Sequence, residues 1–204
     1  MSTILHINSS IRNAGSISRQ LSSEFVEKLK AANAGTIVIS RDLATSPVPH
    51  LEETMMGAFF TPENQRTAEQ AKTVGLSDKL VAELFSADTV VIGAPMYNFS
   101  VSSTLKSWID HIARVGVTFR YTDKGPEGMV TGKKVYIFTS RGGVYSTGPA
   151  KAMDFHETYL RAVLGFIGLT DIHFIHSEGL AMGDEAANLA VTGSRNVMDA
   201  LIAA

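Results

Sequence analysis

Ile4-Leu5-His6-Ile7-Asn8-Ser9-Ser10-Ile11-Arg12-Asn13-Ala14-Gly15-Ser16-Ile17-Ser18-Arg19 is the stretch that decides the fold. A short apolar run passes into a loop of hydroxyl and amide side chains. Leu21, Phe25 and Leu29 follow at four-residue intervals, the spacing of one face of a helix that begins after Arg19. Strand, polar loop and helix in that order form the opening of a βαβ unit. The loop itself offers free backbone N–H groups at a helix N-terminus, where partial positive charge favours a phosphate. Serine also caps helices in any protein, so Ser16 or Ser18 could serve that purpose alone.

The same alternation continues outward along the chain. Ile37-Val38-Ile39, Val90-Val91-Ile92, Val135-Tyr136-Ile137-Phe138 and Ile172 to Ile175 read as four further strands. These runs are mostly continuous rather than alternating, as expected of parallel strands covered on both faces. Leu105, Trp108, Ile109 and Ile112 mark a second amphipathic helix. Thr61-Pro62-Glu63 carries the signals of a helix start, with proline at the first helical position, and predicts helix to about Phe85, divided near Gly75 and Ser77. The pattern predicts an α/β doubly wound sheet of five parallel strands, in the order 2-1-3-4-5, with helices on both faces and the whole of residues 1–204 as one domain. Two segments interrupt it: Pro47 to Phe60, with Met55, Met56, Phe59 and Phe60, and Thr118 to Gly132, rich in turn residues.

Composition narrows the function. Of 204 residues, 45% are hydrophobic and 19% charged, which suits a packed globular protein. With 18 basic against 20 acidic residues, the formal charge of -2 supplies no field that would draw nucleic acid or an anionic membrane. Cysteine is absent, which removes disulfides and thiol chemistry. No basic segment precedes a long apolar run, and Ile4 to Ile7 is too short for a signal or a span, so the expected location is the cytoplasm.

Ligands of such sheets bind at the carboxyl ends of the strands, near the reversal of strand order. Three loops qualify. The first is the serine-rich loop, which lacks G-x-G-x-x-G and G-x-x-x-x-G-K-[ST] and so fits a terminal monophosphate better than a dinucleotide or a P-loop nucleotide. The third strand ends in Gly93-Ala94-Pro95-Met96-Tyr97-Asn98-Phe99-Ser100, whose rings could flank a flat ligand or pack the core. The fourth ends in Thr139-Ser140-Arg141-Gly142-Gly143-Val144-Tyr145, whose paired glycines permit positive φ, close approach of backbone to a ligand, or a plain tight turn. No G-x-S-x-G elbow is present, which argues against a serine hydrolase of this topology. His173 and His176, three apart on a strand, point to opposite faces and make no metal pair; His111 and His156 read as packed or solvated helix residues.

Taken together, Ala94 to Phe99, Gly116 to Tyr121 with Gly125 to Gly128, Thr131 to Lys134, Ser140 to Gly143 and Leu164 to Gly168 resemble the bacterial FMN-dependent NAD(P)H azoreductases. That group is a branch of the flavodoxin-like quinone reductases, and the resemblance spans the chain. It implies that Ser10, Ser16, Ile17 and Ser18 hold the FMN phosphate and that Met96, Tyr97, Asn98 and Phe99 line the isoalloxazine. Ser140, Arg141, Gly142 and Gly143 would close over the pyrimidine side, their N–H groups steadying negative charge on reduced flavin. It further implies a homodimer with sites at the seam, a substrate pocket edged by Phe60, Phe119 and Tyr145, and no metal. NADH or NADPH would be the donor, and a quinone or azo compound the acceptor, in a ping-pong exchange of two electrons. Tyr145, where histidine is frequent, and Met182, where an aromatic is common, depart from the pattern and bear on substrate preference. Two other readings have the same fold: a flavodoxin-like electron carrier, disfavoured by the near-neutral charge, and a regulatory module without turnover.

Overall fold

The computed structural model describes residues 2–203. Strands β1 (Thr3–Asn8), β2 (Ile37–Asp42), β3 (Thr89–Pro95), β6 (Lys134–Ser140) and β7 (Asp171–Ser177) form one parallel sheet in the order β2-β1-β3-β6-β7. This is the expected 2-1-3-4-5 order, since β4 (Phe119–Thr122) and β5 (Gly125–Gly128) pair only with each other as an antiparallel hairpin. The second irregular segment of the sequence is thus a small ribbon outside the sheet.

Burial on both faces explains the continuous apolar runs. Side chains alternate along each strand, so Leu5, Ile7, Val90, Ile92, Val135 and Ile137 join one core. Helices α3 (Ala68–Ser86), α4 (Ser103–Ile112) and α5 (Phe155–Phe166) cover that face through Leu80, Leu84, Leu105, Trp108, Ile112, Leu160 and Leu164. Their neighbours Ile4, Val91, Tyr136, Phe138 and Ile175 face the other way. There they meet Leu21, Phe25 and Val26 of α1 (Ile17–Ala32) and Met198 of α6 (Asp184–Ala203).

Two helix boundaries differ from the sequence expectation. Helix α1 starts at Ile17, inside the loop rather than after Arg19, because Ser16 accepts a hydrogen bond from the Arg19 N–H and caps it. Thr61-Pro62-Glu63 leads only into one 3₁₀ turn, Glu63–Gln65; α3 begins at Ala68, where Thr67 and Gln70 form a reciprocal capping box. Nor is α3 divided. Ser77 is buried within it and donates its hydroxyl to the His111 carbonyl at 2.6 Å, tying α3 to α4, while Gly75 faces solvent. The first irregular segment holds a further short helix, α2 (Glu53–Phe59), with Met55 buried and Met56 and Phe60 exposed. Among the described residues no helix is long and apolar enough to cross a membrane.

Candidate active site

The carboxyl ends of β1, β3 and β6 meet the N-terminus of α1 around a cleft of about 430 Å³. Gly93 makes the approach possible: a Cβ there would lie 3.0 Å from Asn8 Oδ1 and Ser22 Oγ and 3.1 Å from the Ser18 carbonyl. Any side chain on β3 at this point would push α1 off the sheet. Arg19 fixes the same corner, donating to the Ser10 carbonyl at 3.1 Å while it ion-pairs with Asp42. Its guanidinium, donating to the Asp42 carboxylate, keeps that carboxyl below its ordinary pKa against the upward pull of burial.

Hydroxyls and amides furnish one end of the cleft. Ser10, Gly15, Ser16 and Ile17 line it, together with Arg12, which forms no ion pair among the described residues. The Ile17 and Ser18 N–H groups, first and second in α1, donate to no protein acceptor among the described residues. They are the orphan amides of a helix N-terminus, and with the helix dipole they form an anion-binding end. Ser18 is wholly buried and does not line the cleft, its Oγ lying 3.4 Å from Ser16 Oγ.

Pro95, Met96 and Tyr97 line the middle, and the chain then turns sharply. Tyr97 and Ser100 exchange two backbone hydrogen bonds of 2.9 and 3.0 Å around Asn98 and Phe99, whose φ angles are +47° and +69°. Two consecutive non-glycine residues in the left-handed region are costly, about 1–3 kcal/mol each, and Phe99 has no short polar side chain to ease it. The turn is held from both sides: Tyr97 Oη accepts from the Ile11 N–H at 3.3 Å, and the Met96 N–H donates to the Ser140 carbonyl at 2.9 Å. Asn98 and Phe99 face a second cavity of about 250 Å³, which shares Met96 and Gly142 with the first and is closed by Tyr145. The Phe99 and Tyr145 rings meet edge to face at 6.1 Å.

Ser140, Arg141 and Gly142 form the far wall. Neither glycine of the pair has a positive φ, so turn geometry does not require glycine at either position. The Arg141 N–H is bonded to the Ser177 carbonyl, whereas the Gly142 and Gly143 N–H groups donate to no protein acceptor among the described residues. The Arg141 side chain is wholly buried, with Nη1 at 2.9 Å from Asp154 and 3.0 Å from Glu178. Gly143 packs beside Tyr145 without lining either cavity.

Phe60 and Phe119 lie elsewhere. They line an apolar cavity of about 320 Å³ with Met56, Phe59, Ala113 and Tyr121, over the buried Arg114 that bridges Asp78 and the Phe59 ring. Within one chain Tyr145 does not join them. The histidines follow their expected separation: His173 stacks on Tyr136, while His176 bonds Thr139 and Glu157 on the opposite face. Burial, the largest cause, lowers the pKa of His111 and takes that of His156 down to about 3, as packed neutral helix residues. Sequence reading missed Leu180 and Ala181 in the turn after β7 and Ala187 in the first turn of α6, which also line the cleft. Their signal is positional only, the carboxyl end of the last strand.

Comparison with known proteins agrees with this fold. The family described as flavodoxin-like fold matches residues 2–202. The chain is 61% identical over 204 residues to a protein of Herminiimonas arsenicoxydans named FMN-dependent NADH:quinone oxidoreductase, covering 100% of both. Among solved structures, an azoreductase from Bacillus anthracis str. Sterne superposes with a TM-score of 0.91 at 30% identity, covering 99% of each chain. An FMN-dependent NADH-azoreductase from Bacillus anthracis str. Ames Ancestor, solved in complex with FMN, gives 0.87 at 26% identity, covering 99% of this chain and 100% of that one.

Proposed function

The chain belongs to the flavodoxin-like fold family, and from that membership we propose that it is an FMN-dependent oxidoreductase carrying two electrons from NADH to quinones and azo compounds. One observation carries the reading. A single cleft offers orphan amides and hydroxyls at one end and the free Gly142 N–H at the other, with Met96 and Tyr97 between. That is a donor set for a monophosphate and for the polar edge of a flat ring, with no fingerprint for a second phosphate. FMN, when bound, supplies the two-electron chemistry.

The protein's residues supply binding and order. The Ile17 N–H group and the Ser10 and Ser16 hydroxyls hold the phosphate, and Arg12 adds positive charge beside it. Met96, Tyr97, Asn98 and Phe99 flank the ring, their strained turn fixing its plane. The Gly142 and Gly143 N–H groups favour negative charge at the pyrimidine edge. Donor and acceptor enter by the opening beside Phe99 and Tyr145, each in its turn. Parallel double-reciprocal lines are therefore expected with NADH and a benzoquinone, and intersecting lines with a trapped ternary complex would contradict the shared opening.

We place the site at the seam of a homodimer in the cytoplasm. Phe60 is 65% and Tyr121 70% exposed beside the apolar cavity that Phe119 lines, an unusual cost in water for a lone chain. Pairing two chains over this surface lets Phe60 and Phe119 of one face the opening beside Tyr145 of the other. Sedimentation should give twice 21.9 kDa at micromolar concentration, and a monomer would remove the seam.

A further inference from the structure

Glu178 follows β7 and takes no part in lining either cavity of the cleft, yet four donors converge on its carboxylate. Oε1 accepts from the Tyr145 N–H at 2.8 Å, the Ser146 N–H at 3.0 Å and Arg141 Nη1 at 3.0 Å, and Oε2 accepts from the Ser146 hydroxyl. Burial pulls its pKa upward, but the bonds from Ser146, Tyr145 and Arg141 outweigh it and hold the carboxyl below its ordinary range. The carboxylate is thus the fixed post to which the segment after the double glycine is tied.

Peptide planarity says what that tie accomplishes. The turn that begins at Glu178 also takes the carbonyls of the loop: Leu180 N–H donates to Arg141 O at 3.1 Å, Ala181 N–H to Gly142 O at 3.0 Å, and Gly179 N–H to Gly143 O at 3.0 Å. In a trans peptide the carbonyl of one residue and the N–H of the next point in opposite directions. With Arg141 O and Gly142 O turned toward residues 180 and 181, the Gly142 and Gly143 N–H groups must point away from that turn. Gly142 borders both cavities, so its amide is left for a ligand.

We propose that Glu178 is a positioning residue: by clamping residues 141, 145 and 146 it holds the Gly142 and Gly143 amides as a paired donor, and thereby sets how strongly the site prefers reduced over oxidised FMN. The inference rests on the FMN reading above. It concerns bond geometry rather than the charge of Glu178, and this separates two variants. Ser146→Ala keeps the charge and removes one of the four bonds. Glu178→Gln removes the charge and replaces an acceptor with a donor facing the Ser146 hydroxyl.

The test measures the two-electron reduction potential of the FMN-loaded proteins, with the dissociation constant of oxidised FMN and a thermal melt alongside. Loosened amides bind the reduced, negatively charged ring less well. Glu178→Gln should lose about tenfold of the preference for reduced over oxidised FMN, a potential lower by about 30 mV. Ser146→Ala should move the same way by less. A potential unchanged in both folded variants, even with a lowered melting temperature, overturns the proposal and leaves Glu178 a structural residue. A potential raised in Glu178→Gln and unmoved in Ser146→Ala also overturns it, because loss of a negative charge acting through space has that sign. Should Glu178→Gln fail to fold, Ser146→Ala decides the matter alone. Failure of the FMN reading shows separately, as a wild-type protein that takes up no FMN.

Discussion

At the scale of single residues, Ser16 does two things that sequence reading could only offer as alternatives. It caps α1 through the Arg19 N–H, and it also lines the cleft. Ser16→Glu separates the two, since a carboxylate is tolerated or favoured at a helix N-terminus and the fold should lose little. A unit charge about 4 Å from a phosphate costs about 4 kcal/mol at an effective dielectric near 20. If solvent and side-chain movement halve that, a phosphate of about -1.5 to -2 charges still loses about two orders of magnitude in FMN affinity. Titration of apo protein with FMN reads the result, and an unchanged constant in a folded variant would leave Ser16 a cap alone. Phe99 shows the limit of such reading. Its aromatic character was legible, but its φ of +69° was not, because Asn98 tolerates the left-handed region whereas a phenylalanine gives no signal for it. The turn is imposed by Ile11 and Ser140, which are remote in sequence.

At the scale of elements, strands were legible and helix starts were not. The β-branched runs at Ile4, Ile37, Val90, Val135 and Ile172 all lie in sheet strands; in the central β1, β3 and β6 burial on both faces leaves a continuous apolar signature, while β2 at the edge is half-exposed and is marked by its β-branched residues alone. Helix starts depend on capping bonds, and Thr61 and Thr67 look alike in sequence; only Thr67 has Gln70 at the right spacing to complete a box. Gly75 misled in the same way. It lies mid-helix on the solvent face with no neighbour within 4 Å of a built Cβ and no positive φ, so it breaks nothing. Gly75→Ala should therefore stabilise the protein by roughly 0.5–1 kcal/mol through helix propensity. A denaturant titration measures it, and a loss of stability would mean that Gly75 serves a contact outside the single chain.

At the scale of the whole molecule, the sheet order places the ends of β1, β3 and β6 beside one helix N-terminus, and this brings three separately unremarkable loops into one cleft. The reversal rule for open sheets made that location legible. The separation of Phe60 and Phe119 from Tyr145 was not, because both lie in segments outside the five-stranded sheet, where no strand rule fixes their placement. The central claim is that this cleft holds FMN and passes electrons from NADH. The most direct test is the visible spectrum of the purified protein, recorded anaerobically before and after NADH, with the cofactor identified after denaturation. The account predicts a yellow protein that bleaches on NADH, recovers when a quinone is added, and releases FMN. Release of FAD, or a folded protein that takes up no flavin when FMN is supplied, would contradict it.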